Sequence, residues 1–202
     1  DINFPTLKDP KEMNKSKVYF YDFPGAKQSV LQFGYSALAA TDNDYYAASL
    51  VNYRLGGGGF ASQLTQELRE SKGYTYGIRS RFSGSNLKGT FLISSKVRSN
   101  VTFESTQLIK EIVEDYGTNF SENDLEITKG FMLKSNARAF ETLRSKLNML
   151  RNISNYDYPE DYAKKRENIV KALTVEDVKR LAKEHLNSDK MIYLIVGDAE
   201  TQ

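Results

Sequence analysis

The sequence predicts an α+β fold, an antiparallel-rich mixed sheet packed on one side by helices. Three observations carry this. Segments of period-two alternation and segments of helical period come in the order two strands, two helices, two strands, a set of helices and a closing strand. The 202 residues are 40% hydrophobic and 27% charged, which supports one packed core without disulfides. No run of 18 apolar residues exists, so no membrane insertion is expected.

Residues 1–15 (DINFPTLKDPKEMNK) are polar, hold two of the four prolines and show no sustained period. They read as a linker or strap from a preceding domain, ahead of a single domain over 16–202. KVYFYDF (17–23) is a strand, PGAKQ a turn, and SVLQFGYSA (29–37) runs back as a second strand. Thr41-x-x-Asp44 has the form of a capping box for the first helix, whose Ala47, Leu50, Val51 and Leu55 share a face. Four glycines, Gly56 to Gly59, interrupt that helix, and the run reads as a mobile turn. A second helix spans 60–72, with Ala61, Leu64 and Leu68 inward and Gly73 as its C-terminal cap.

Residues 74–84 and 88–98 read as a hairpin. An amphipathic helix follows over 103–116, with Leu108, Ile109, Ile112, Val113 and Tyr116 inward and Gly117 as its stop. Ser121-x-x-Asp124 caps a long helical stretch that breaks near 136–142, and a further helix lies near 159–172. Thr174-x-x-Asp177 caps the last helix. MIYLIVGD (191–198) is a short apolar run of the kind found in strands buried on both faces.

Absences restrict the chemistry. Without Cys there are no thiolate metal sites, disulfides or cysteine nucleophiles. With His185 as the lone histidine, no H-x-x-E-H zinc motif can be built from this chain, so no metal ligands and no cofactor are expected in it. His185 reads as a structural or surface residue, because no Ser or Asp is placed by sequence to complete a triad. The +2 net charge gives no electrostatic case for nucleic acid, and Arg79, Arg81, Lys88 and Lys96 read as a solvated sheet face. The glycine run is no phosphate loop, since a helix precedes it and no Lys follows. The chain begins at Asp1 without Met or a basic leader, as a processed or excised piece would. Lack of Cys suits an oxidising compartment such as a bacterial periplasm as well as a reducing one such as the cytoplasm.

The segment LGGGGFASQLTQELRESKGYTYGIRSRF at 55–82 carries a specific signal. It resembles the pitrilysin-type zinc metallopeptidases, the family of insulin-degrading enzyme and the mitochondrial processing peptidase. The match is to the metal-free C-terminal half of bacterial members, where a glycine-rich turn precedes F-x-S-x-L-x-x-x-L-R-E and then K-G-Y-T-Y-G. The resemblance implies a processing-peptidase-like sandwich that closes as a clamshell around a peptide substrate, against a zinc-bearing H-x-x-E-H half in the same polypeptide or a separate subunit. It implies that zinc sits on that partner half and that this chain alone is inactive. It assigns Arg69 and Tyr76 to catalysis, and Gly57, Gly58, Gly59 and Phe60 to the substrate-binding edge of the cleft. On spacing alone, Arg69 would be a cation at a helix C-terminus and Tyr76 a cross-strand packing residue. Two alternatives stay open, a catalytically silent scaffold or interaction domain of the same fold, and an unrelated α+β binding module.

Overall fold

In the computed structural model, which describes residues 8, 10, 13–138 and 140–201, five strands form one sheet in the order β1-β5-β2-β4-β3. They are β1 (Lys17–Asp22), β2 (Gln28–Ser36), β3 (Thr75–Ser83), β4 (Thr90–Arg98) and β5 (Ile192–Gly197). β1 runs parallel to β5 and every other pairing is antiparallel, which is the mixed sheet expected. The strap expected over 1–15 lies mostly outside the described residues.

Alternation decides which face is covered. Leu31 and Phe33 of β2, Ile78 of β3, Phe91, Ile93 and Val97 of β4, and Tyr193 and Ile195 of β5 are all buried on one side. Helices α1 (Tyr45–Asn52), α3 (Thr102–Asn119) and α7 (Val175–His185) close over them with Leu50, Val51, Ile109, Val113, Val178 and Leu181. Tyr116 of α3 is buried too, and its hydroxyl donates to the Val51 carbonyl at 2.5 Å. Burial, with the Asp124 charge nearby, pushes that phenol far above its ordinary value, so it remains a donor. Further out lie α4 (Glu122–Arg138), α5 (Leu143–Tyr156) and α6 (Tyr162–Ala172), with the helical break where it was expected. Among the described residues, nothing covers the other face of the sheet.

That one-sided cover corrects the reading of the closing strand. β5 alternates buried Tyr193 and Ile195 with exposed Leu194, because helices meet only one of its faces. β1 and β2 are not hairpin partners either, since β5 pairs with both and lies between them. The first helix starts at Tyr45, and the capping box from Thr41 does not form. Instead the Asp44 carboxylate lies 3.2 Å from Nε2 of His185, tying α1 to the end of α7. Gly117 does not stop α3, which runs to Asn119. A Cβ there would stand 3.0 Å from that of Ala182, so Gly117 lets α3 and α7 approach closely. The boxes at Ser121–Asp124 and Thr174–Asp177 form as expected.

Candidate functional site

The helix begun at Tyr45 passes into a π-helical turn, Tyr53–Gly57, before the chain reverses. A Cβ on Gly56 would lie 2.3 Å from Ser80 Oγ and 2.8 Å from Ser80 N. On Gly57 it would lie 2.8 Å from Asn52 Nδ2, and on Gly58 2.7 Å from the Tyr53 carbonyl. Ser80 has little room to yield, because its Oγ donates to Asn52 Oδ1 at 2.5 Å and its carbonyl accepts from Asn52 Nδ2 at 2.9 Å. Three of the four glycines are therefore sites of close packing, which corrects the expectation of a freely mobile turn. Only Gly59, at φ 58° with open space around it, uses a backbone conformation that favours glycine. Gly56→Ala should cost about 1–3 kcal/mol by overpacking, lowering Tm by about 2–12 °C for a chain of this size. Thermal unfolding checks this, and an unchanged Tm would restore the mobile turn.

Arg54, inside the π-turn, braces this corner. Its Nε and Nη2 donate to Asp124 Oδ1 at 2.8 and 2.5 Å, and Nη1 donates to the Ala61 carbonyl beyond the glycines. Burial alone would push Asp124 up. The Ser121 hydroxyl and amide and the Arg54 guanidinium outweigh it and hold the carboxyl below its ordinary 3.8. An ionised Asp124 thus anchors both the glycine corner and the start of α4.

The second helix, α2, is mixed, α-helical over Gln63–Thr65 and π-helical over Gln66–Ser71. Leu64 and Leu68 face the core, which leaves Arg69 on the outer side. Its guanidinium carbon stands 4.6 Å from the centroid of the Phe60 ring, a cation–π contact, while Glu70 lies 3.3 Å from its Nε. Gln66 Nε2 donates to the Phe60 carbonyl at 2.5 Å, fixing the residue that carries the ring. Gly73, at φ 61°, accepts the turn out of the helix, its N–H donating to the Arg69 carbonyl at 3.1 Å.

β3 then opens with a bulge. Thr75 pairs with Val97 and Ile78 with Ser95, so Tyr76 and Gly77 together oppose Lys96. Thr75 Oγ1 holds the bulge by accepting the Gly77 N–H at 3.0 Å and donating to the Lys96 carbonyl at 2.6 Å. Tyr76 is thereby presented outward with 87% of its surface exposed. Among the described residues its side chain makes no hydrogen bond, ion pair or ring contact. The structure thus unites Arg69 with Phe60, and sets Tyr76 beyond the Gly73 turn without a bond to either. Arg54, Asp124, Gln66 and Thr75 were missed by sequence reasoning. Only the capping box at Asp124 offered a signal, and that signal concerned its own helix.

One group among the described residues has metal-ligand geometry, with single donor atoms of Asp44, Glu184 and His185 within 4.8 Å of one another. Arg180 Nη1 already lies 2.8 Å from Glu184 and 3.5 Å from Asp44. One imidazole with two carboxylates held by a guanidinium does not match the two-histidine, one-glutamate set of a hydrolytic zinc.

Against this geometry, the family model described as the peptidase M16 inactive domain matches residues 4–131. The chain belongs to this family. The M16 inactive domain of Pseudomonas fluorescens superposes on it with a TM-score of 0.89 at 29% identity, over 97% of this chain and 47% of that one. A protein of Helicobacter pylori named non-peptidase homolog YmxG is 24% identical over 193 residues, 94% of this chain and 44% of its own length. The periplasmic protease PqqL of Escherichia coli shares the fold, with a TM-score of 0.72 at 17% identity over 91% of this chain and 21% of that one. This M16 domain therefore spans about half the length, or less, of the relatives it matches.

Proposed function

We propose that this M16 domain is the metal-free half of a two-part zinc peptidase and acts on the peptide from across the cleft. Arg69 orients the substrate backbone, with Phe60 and Gly57, Gly58 and Gly59 forming the adjoining edge. Tyr76 donates its phenolic hydrogen to charge developing on the scissile carbonyl oxygen. The partner half, in the same polypeptide or a separate subunit, holds the H-x-x-E-H zinc that supplies the activated water. One observation carries this reading: Tyr76 is held outward by a locked bulge, with its hydroxyl taken by no partner among the described residues. The test mixes this chain with its zinc-bearing half, with metal analysis of each after dialysis. Hydrolysis of a reporter peptide is expected only from the mixture, and zinc only on the partner. Full hydrolysis by the partner alone, or one tightly held zinc in this chain, would overturn the proposal.

A second reading, a catalytically silent scaffold, is favoured by the name of the Helicobacter relative, which calls that protein a non-peptidase. A mixture that binds the peptide without cleaving it would establish that reading.

A further inference from the structure

The five strands contain five cations, Lys17, Arg79, Arg81, Lys96 and Arg98, and a single acid, Asp22. All five cations are exposed, and the pairing register sets them on one side of the sheet. Arg98 lies opposite Gln28, Lys96 opposite Val30, Arg79 opposite Ser94, Arg81 opposite Leu92, and Lys17 beside Ile192. Those neighbours alternate with the buried residues, so the cations stand on the open face. Asp22 is paired with buried Gly197 and accepts the Ala199 N–H at 2.9 Å, at the end of its strand. No ion pair involves any of the five among the described residues. With +2 on the whole chain, everything apart from these five cations, Asp22 included, sums to −3, so the open face is positive against a slightly negative remainder.

We infer that the open face binds an acidic, extended segment of the peptide substrate. The inference rests on the peptide-cleft role proposed above, because Tyr76 stands on this same face, in the row of Lys96, Val30, Val196 and Tyr21. Cations two residues apart on one strand are spaced by about 7 Å, the spacing of alternate side chains in an extended peptide. A peptide with Glu at alternate positions lying along β3 or β4 thus brings a carboxylate to each cation in turn. Arg79 and Arg81 present planar forks that suit carboxylates. Towards β5 and β1 the face turns apolar and aromatic, with Leu194, Val196, Tyr19 and Tyr21, which gives room for uncharged residues flanking the acidic stretch.

The test is fluorescence anisotropy on this chain with labelled dodecapeptides in which Glu, or Lys, alternates with Thr. Single-stranded oligothymidylate and phosphatidylserine vesicles serve as rival probes. The Glu peptide is expected to bind, to weaken with added salt and to lose about tenfold in affinity in the Arg79→Glu/Arg81→Glu variant. The Lys179→Glu/Lys183→Glu variant, with the same charge change on the solvent side of helix α7, across the core from the open face, should bind as the unaltered chain does. Equal binding of Glu and Lys peptides, or equal losses in both variants, would overturn the inference. So would tighter binding of oligothymidylate or vesicles than of the Glu peptide. Because no zinc half is present, a cleaving mixture without Glu preference would sink this inference alone. Glu binding beside a fully active Tyr76→Phe mixture would sink only the role assigned to Tyr76.

Discussion

Tyr76→Phe is expected to lower kcat of the two-half peptidase proposed above, once reconstituted, by about 10²–10³, the usual effect of removing one preorganised donor to an oxyanion. As a peptide carbonyl is attacked, its oxygen gains negative charge, and a donor already aimed at that oxygen lowers the barrier without reorganising. Tyr76 is suited to this, since the bulge locked by Thr75 fixes its backbone and its hydroxyl serves no bond among the described residues. For the same reason the substitution removes nothing the fold uses, and Tm should be unchanged. Arg69→Ala should raise KM as well as lower kcat, because orientation of the substrate contributes to both. Steady-state kinetics and thermal unfolding on each variant decide the matter. A fully active Tyr76→Phe with normal Tm would favour the silent scaffold.

The second large effect concerns the fold itself. Phe33 is fully buried on β2, paired with Ile93 on one side and Tyr193 on the other, and its ring centroid lies 4.9 Å from that of Tyr193. Removing it leaves a cavity beneath three strands at once. Phe33→Ala should cost about 3–5 kcal/mol, a Tm drop of about 6–20 °C. Leu194→Ala, on the open face of the adjacent strand, should cost far less, because 40% of Leu194 already meets water. Thermal melts of the two side by side check which face carries the core, and equal losses would contradict a one-sided one.

Much of this architecture was legible because it depends on local period. Alternation marked the β3–β4 hairpin, helical spacing marked Leu64 and Leu68, and Gly73 adopts the left-handed turn its position suggested. What escaped was non-local. Thr41-x-x-Asp44 has the form of a capping box, but His185, far along the chain, recruits the Asp44 carboxylate. Gly56 and Gly117 read as breakers from sequence, yet each is needed because Ser80 or Ala182 comes close in the fold. Arg54 offered no pattern at all, since its partners Asp124 and Ala61 meet only once the corner is built. The candidate site was legible by resemblance alone. Spacing favoured dipole and packing roles for Arg69 and Tyr76, and their exposure became visible only in three dimensions.

The position of β5 has a consequence for how the chain acquires its shape. Among the described residues β1 has no other partner in the sheet, and its pairing of residue 17 with residue 192 brings together nearly the two ends of the described chain. The antiparallel β2–β4–β3 unit and the helices above it can assemble early, whereas β1 must wait, unpaired, for β5 to arrive. Such end-to-end closure carries the largest loop entropy and is slow. On the ribosome it cannot occur until the final strand has emerged. While the residues between β1 and β5 are being added the aromatic edge VYFY therefore stands open, and a chain truncated before residue 192 would carry that exposure permanently.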